Sequence, residues 1–440
     1  MKSRAISTGI FSIQWLVFLI ANSLMLPIVI GTIFQMSPEE TIGLIQRMFF
    51  VVGLSSLLSA WLGHRLPIPD GPAGIWLGIF VLMGQLAVSQ GGNQDETLRL
   101  LEGGMLVTGI TVILIGSAKW MQKLLRIFTP LVTGVYLIML TLQLSGTLLK
   151  GMIGVSDTGA PVLGTSVVIS FSVFLLVLSL SIWGKGWMKS YAVLFGVIAG
   201  WIAYALVYGT GQAPASDSLI KFPQVFAWGL PTIDAGMFAT AIMVAFVLIS
   251  SVIACLVAMQ QVVDDSGKKQ TPRTGKTSPL DKAGIVSGFS NVLSSLFSTI
   301  GVVPLSISAG FVRLTGQIRL APYYIACALL IIISFIPGIY SMLSLLPAQV
   351  ANAAMLASFA QMIGIGIRSI LKEPLDERRM TILGLALSFG TGVMFLPQSL
   401  FYGLPTIFQY LLGNGVMVGM LVALLLEQTW REKAAKAATL

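Results

Sequence analysis

The sequence predicts an all-α polytopic membrane fold of about fourteen spans, laid out as two inverted seven-span repeats. Three observations carry this: the composition, the lengths of the apolar runs, and the side on which basic residues fall. Apolar residues make up 55% of the 440-residue chain and charged residues only 10%, and the mean hydropathy is +0.90. A soluble domain carries about a quarter charged residues. A hydrocarbon core about 30 Å thick asks for roughly 20 apolar residues per helix, and this chain has room for many such helices.

Apolar runs between charged or turn-rich breaks give spans at 8–31, 42–63, 70–90, 100–118, 127–149, 163–183, 190–209, 235–262, 283–300, 302–316, 320–345, 347–370, 379–396 and 404–426. With the N-terminus cytoplasmic, 22 of the 26 Lys and Arg residues fall on the inner side; only Arg47, Arg99, Lys150 and Lys221 fall outside. A single miscounted span would invert every later loop and destroy this bias, so the charges predict an even count with both termini cytoplasmic. The net charge of +9 therefore serves orientation in the cell membrane and does not point to nucleic acid. The opening stretch MKSRAISTGIF runs into apolar sequence without a small-residue cleavage site and reads as a first span. The polar stretch 264–282 reads as a solvated cytoplasmic linker between spans 8 and 9. Cys255 and Cys327 both lie in apolar runs, so neither a disulfide framework nor a metal cluster is expected, and no cofactor is implied.

Runs 3 and 10 make poor continuous helices. Run 3 opens with Pro67, Pro69, Asp70, Gly71, Pro72, Ala73 and Gly74; run 10 opens with Gly301, Pro304, Ser306, Ile307, Ser308, Ala309 and Gly310. Proline removes a backbone donor and glycine tolerates unusual dihedrals, so both stretches are expected to be unwound or strand-like. Such backbone survives at membrane depth only when buried in protein or lining a wet cavity. A shift of 235 positions overlays the regions, pairing Gly53 with Gly288, Ser55 with Ser290, Leu58 with Leu293, Ser59 with Ser294 and Pro69 with Pro304. The expected halves are 1–234 and 235–440, with a shared site at the two breaks, as in many secondary transporters.

On these residues the chain resembles the nucleobase–ascorbate transporter family, also called nucleobase–cation symporter-2, which includes bacterial xanthine, uracil and uric acid permeases. Ile68-Pro69-Asp70-Gly71-Pro72-Ala73 is similar to the family's third-span Pro-x-x-Gly-Pro/Ser-Ser segment, and Gly288-Phe289 through Leu296-Phe297 to its ninth span. Gly310 through Thr315 matches the tail of the signature (Gln/Glu)-Asn-x-Gly-x-x-x-x-Thr. The resemblance implies a core domain and a gate domain, with short strands crossing near the midplane, and proton-coupled uptake of a purine by alternating access. The departures are specific. Ile307-Ser308 replaces the signature's Gln/Glu-Asn pair, Cys255 stands where members often carry an acid, and Trp15 stands where Gln-His would place His.

A flat base needs a few converging polar groups and apolar walls. Backbone at 71–74 and 307–310 supplies amides and carbonyls, the helix N-termini beyond favour electron-rich atoms, Ser306 and Ser308 donate or accept, and Trp76 or Phe311 offers a ring face. Asp70 has two readings of equal weight: substrate binder or proton carrier, against a cap on the following helix. Glu102 and Asp234 read as interfacial, His64 as a solvated span end, and Gln14 and Asn22 as interhelical hydrogen-bonding groups on one face. The partners expected are a small-molecule nucleobase, H+ and the lipid bilayer; a homodimer stays open. Rival functions are an inorganic or organic anion transporter of the same fold and a non-transporting membrane sensor. A membrane enzyme would call for clustered His, Asp or Glu, and one histidine with scattered acids argues against it.

Overall fold

The computed structural model describes all residues except 1, 90–92, 125–128, 156–163, 210–217, 266–278, 398–399, 401–403, 405–407, 409–411 and 431–440. The first half runs α1 (Lys2–Ile33), α2 (Pro38–Leu58) with a π turn at Ser59–Gly63, β1 (Asp70–Pro72), α3 (Gly74–Ser89), α4 (Gln94–Ser117), α5 (Met121–Leu124), α6 (Pro130–Ile153), α7 (Gly164–Trp183), α8 (Trp187–Ser190) and α9 (Ala192–Tyr208). The second runs α10 (Ala235–Asp265), α11 (Pro279–Leu296), β2 (Val302–Pro304), α12 (Ile307–Thr315), α13 (Leu320–Ser334), α14 (Pro337–Leu343), α15 (Ala348–Ile370), α16 (Glu377–Met394) and α17 (Gly415–Thr429).

Local chemistry sets many ends. Ser37 and Glu40 form a capping box ahead of α2 with Pro38 in its first turn. Thr129 caps α6, which stops at Gly154 in the left-handed region at φ +80°. Among the described residues, seven helices are long and apolar enough to cross a membrane alone. The others are the half-helices after the strands and shorter or broken elements. Run 11 departs from the expected single span: α13 and α14 meet at a bend of 92°, where Pro337 opens the second piece. Run 14 is helical from Gly415, and most of 398–411, where that run was expected to begin, lies outside the described residues. So does 266–278, the bulk of the expected linker.

The helices pack in two groups, α1–α4 interleaved with α10–α13, and α6, α7 and α9 with α15–α17. Pairings repeat between the halves: α2 lies on α13 as α11 lies on α4, and α1 lies on α13 as α10 lies on α4. In lipid the hydrophobic effect does not pull helices together, so close backbone approach through small residues does. A Cβ on Gly53 would sit 2.8 Å from Ile331 of α13, and one on Gly288 would sit 2.6 Å from the Gly109 carbonyl of α4. These two glycines are partners in the 235-residue overlay. Leu206, Trp183 and Phe395 turn exposed apolar surface outward, as a lipid-facing perimeter requires.

Candidate functional site

The two predicted breaks are strands, and they pair. β1 and β2 form a two-stranded antiparallel ribbon with Asp70 opposite Pro304, Gly71 opposite Val303 and Pro72 opposite Val302. The 235-residue shift maps this register onto itself, turning 70 opposite 304 into 305 opposite 69. Leu305 N indeed donates to Pro69 O at 2.9 Å. Ala73 N extends the ribbon by donating to Gly301 O at 2.8 Å. Each strand leads straight into a helix, α3 or α12, so two helix N-termini lie at the ends of a ribbon about 10 Å long. First-turn amides lack intrahelical acceptors and carry partial positive charge, which suits carbonyl oxygens or an anion.

The α12 side is open. Ser306, Ile307 and Gly310 are exposed, and a Cβ on Gly310 would meet nothing within 4 Å. Ser308 and Ala309 are buried, with Ser308 Oγ donating to Leu305 O at 2.7 Å. The Cys255 thiol of α10 is buried and in hydrogen-bonding contact with Ser306 and Ser308, so the structure brings that position to the second break. On the α3 side, Gly74 faces Leu140 of α6 and Phe359 of α15, the latter 3.3 Å from where a Cβ would be. Phe359 was not singled out in the sequence; nothing local marks one aromatic in an apolar helix as facing a break 285 residues away.

Asp70 does not cap α3. It is fully buried, and its Oδ2 accepts from Ser59 Oγ at 2.8 Å and Ser290 Oγ at 3.3 Å. The Ser55 hydroxyl is also within reach, and Asp70 N donates to Ser56 Oγ at 2.9 Å. Among the described residues Oδ1 has no hydrogen-bond partner. The carboxyl thus sits among serines from α2, its π turn and α11. Tyr323 of α13 holds the approach to β1, donating to Ile68 O at 2.9 Å. The sequence signal for this pocket is the pair of serines, Ser55 and Ser59, that the 235-residue overlay matches with Ser290 and Ser294.

Neither predicted ring face is free. Trp76 is fully buried, packed on Gly301, with Nε1 donating to Asn291 Oδ1 at 3.2 Å. Asn291 Nδ2 in turn donates to Val302 O at 2.9 Å, so Trp76 and Asn291 brace the ribbon. Phe311 is buried between Trp15, Phe18 and Tyr191, with centroids 4.6, 4.8 and 5.7 Å away. Gln14 accepts from Gln317 Nε2 in the connection between α12 and α13, whereas Asn22 bonds to Phe18 O of its own helix. His64 is buried, with Nδ1 accepting from Leu66 N at 3.0 Å, because the chain folds back there into the break. Asp234 caps α10 through Met237 N at 2.6 Å. Glu102 is fully buried within α4, which overturns its interfacial reading; segment 218–234 and α2 cover it, and no property of α4 alone foretells that cover.

A family model described as Permease family matches residues 7–399. The chain belongs to this permease family. Its members are transporters, not enzymes, and the resemblance read from the motifs is borne out. Similar relatives in Bacillus subtilis (strain 168) are "Putative purine permease YwdJ", 31% identical over 96% of both chains, and the uric acid permease PucK, 25% identical over 98% of this chain and 97% of that one. The xanthine permease of the same organism is 24% identical over 96% and 93%. Among solved structures, the transmembrane domain of the cyanobacterial bicarbonate transporter BicA superposes with a TM-score of 0.61 at 14% identity, covering 96% of this chain and 97% of that one. SLC26A9 gives the same TM-score at 14% identity over 95% and 65%. At that identity the likeness shows the fold alone, an inverted-repeat transporter fold, and the permease family makes the chain a multi-pass membrane carrier of small molecules.

Proposed function

We propose that this permease carries a purine-like nucleobase, such as xanthine or urate, in symport with protons. The observation that carries the reading is the crossed ribbon with its two helix N-termini and one open face at Ser306, Ile307 and Gly310, supported by relatives named for purines, urate and xanthine. First-turn amides not spent on the ribbon or its turns, at Gly74 of α3 and Ile307 of α12, would take the carbonyl edge of the base, Ser306 would add a hydroxyl, and Phe359 the apolar wall. This division suits a chain without the family's Gln/Glu-Asn side chains, since amides at helix starts need no particular side chain to bind an electron-rich oxygen.

Asp70 is the proposed proton carrier. Its Oδ1 lacks a partner, and a buried unpaired carboxylate is costly in low dielectric, so a proton there relieves the cost. Because Asp70 NH, Ser56 and the ribbon are one hydrogen-bonded unit, its protonation would be felt at the strand that binds substrate. The halves 1–234 and 235–440 would each contribute one break. The α1–α4/α10–α13 body would move against the other helices in alternating access, with both termini cytoplasmic.

The anion-carrier rival draws on the fold likeness to bicarbonate and SLC26 proteins. Uptake of labelled xanthine in cells expressing the chain, challenged with unlabelled purines, uracil, bicarbonate and sulfate, separates the two. Competition by purines is expected. Competition by the inorganic anions with none by any base would overturn the nucleobase reading.

A further inference from the structure

On the face opposite the basic loops, segment 218–234 is strapped across the ends of α2, α4, α11 and α13. Lys221 N donates to Phe335 O at 3.0 Å, Phe226 N to Leu296 O at 2.9 Å and Thr232 N to Arg99 O at 3.1 Å. Arg99 Nε returns a bond to Trp228 O at 2.9 Å, and Gln46 Nε2 holds Lys221 O at 2.7 Å. Between this strap and the turn joining α1 to α2 lies a cavity of about 680 Å³. That volume is in the range of small-molecule sites and ample for a bicyclic heterocycle.

The polar groups of the cavity are sorted by depth. The acids that line it, Glu39, Glu40 and Asp95, are exposed at the rim, where water and salt screen them. Glu40 is also spent on Ser37 N at 2.7 Å. Gln46 and Arg47 line the floor and are buried, 3% and 6% exposed. Arg47 Nε donates to Ser298 O at 3.0 Å, and among the described residues no further hydrogen bond to its guanidinium is seen. That guanidinium lies over the half-buried Trp228 ring, 5.9 Å from its centroid, and Phe80 packs against the same ring at 6.0 Å. Behind it sits Glu102, fully buried, with Arg47, Arg99 and the Ser298 hydroxyl as its polar neighbours and neither oxygen in a well-formed hydrogen bond. A guanidinium that is fixed, poorly hydrated and unspent on one edge favours planar oxygen acceptors, and a neighbouring indole suits a flat ring.

We propose that this cavity is an outer recognition site for the transported heterocycle, with Arg47 and Arg99 on its carbonyl oxygens and Trp228 on its ring face. Glu102 acts as a positioning residue that holds the buried Arg47 at the floor, while the exposed Arg99 stands at the rim. The site rests on the purine reading above and extends it: recognition that the central ribbon does not perform through side chains is made at the entrance.

Cys255 and Cys327 are both buried, so Gln94→Cys at the cavity lining gives one accessible thiol. In intact cells, xanthine or urate is expected to slow labelling of that thiol by a membrane-impermeant maleimide, at concentrations near the KM for uptake. Trp228→Ala is expected to abolish protection and lower kcat/KM roughly tenfold, mainly through KM, the scale of one lost ring contact. Trp228→Phe keeps a ring and is expected to restore both, which separates lost recognition from lost folding. Uptake of the base with no protection of the thiol overturns the outer site. Absence of both uptake and protection for every base overturns the purine reading and the outer site with it.

Discussion

Replacing Asp70 by Asn removes the ability to take up and release a proton while leaving the shape of the serine pocket nearly unchanged. The carboxylate now accepts from Ser59 at 2.8 Å and Ser290 at 3.3 Å. An amide oxygen can accept the same two bonds, without charge assistance. A bond to a charged group is worth about 1.5–3 kcal/mol and a neutral one about 1 kcal/mol, so the two bonds together lose about 1–4 kcal/mol, offset in part because no charge is buried any longer, and the variant should still fold. The effect on accumulation should be far larger. One co-transported proton supplies about 1.4 kcal/mol per tenfold gradient in proton concentration and about 2.3 kcal/mol per 100 mV of membrane potential. Removing that drive should bring the inside-to-outside ratio of a neutral base toward one. The assay is paired: concentrative uptake against imposed pH steps, and counterflow in preloaded vesicles, which needs no proton. In the native chain uptake should rise as external pH falls, because a proton must be bound outside before substrate is carried. In Asp70→Asn that slope should vanish while counterflow persists. Retained accumulation with the same pH slope would refute the assignment of Asp70.

Gly310→Val places a side chain where a Cβ meets nothing, so stability should change by less than about 1 kcal/mol in thermal unfolding, since valine is the better helix former. Uptake should nonetheless fall at least tenfold if that open face receives substrate; normal uptake would take Gly310 out of the site. Gly288→Ala forces a Cβ to 2.6 Å from Gly109 O and should cost about 1–3 kcal/mol, read as a lowered unfolding temperature in detergent. The double variant Gly109→Ala with Gly288→Ala should cost less than the two singles added, because both push apart the same pair of helices; strict additivity would show that the contact is not shared.

The class, the span positions and the two breaks were legible in the sequence because each depends on a quantity carried by consecutive residues. Apolar length sets what can cross a bilayer, and Pro69, Gly71, Pro72 and Pro304 remove helix where they stand. The 235-residue overlay pointed to a repeat, and the register that maps onto itself under that shift appears only in the structure. What Asp70, Glu102, His64 and Trp76 face could not be read this way. Asp70 meets Ser290 across 220 positions and Trp76 meets Asn291 across 215, and Glu102 owes its burial to α2 and to a strap more than 110 residues further along the chain. Burial inside a membrane protein is decided by which helix lies alongside, and polar residues look alike in sequence whether they face lipid headgroups, a neighbour or a cavity. The sequence by itself therefore determined a permease with two broken spans. Only the interleaving of its inverted halves decided that one acid lies beside the ribbon among serines, and that another lies by Arg47 beneath the 218–234 strap.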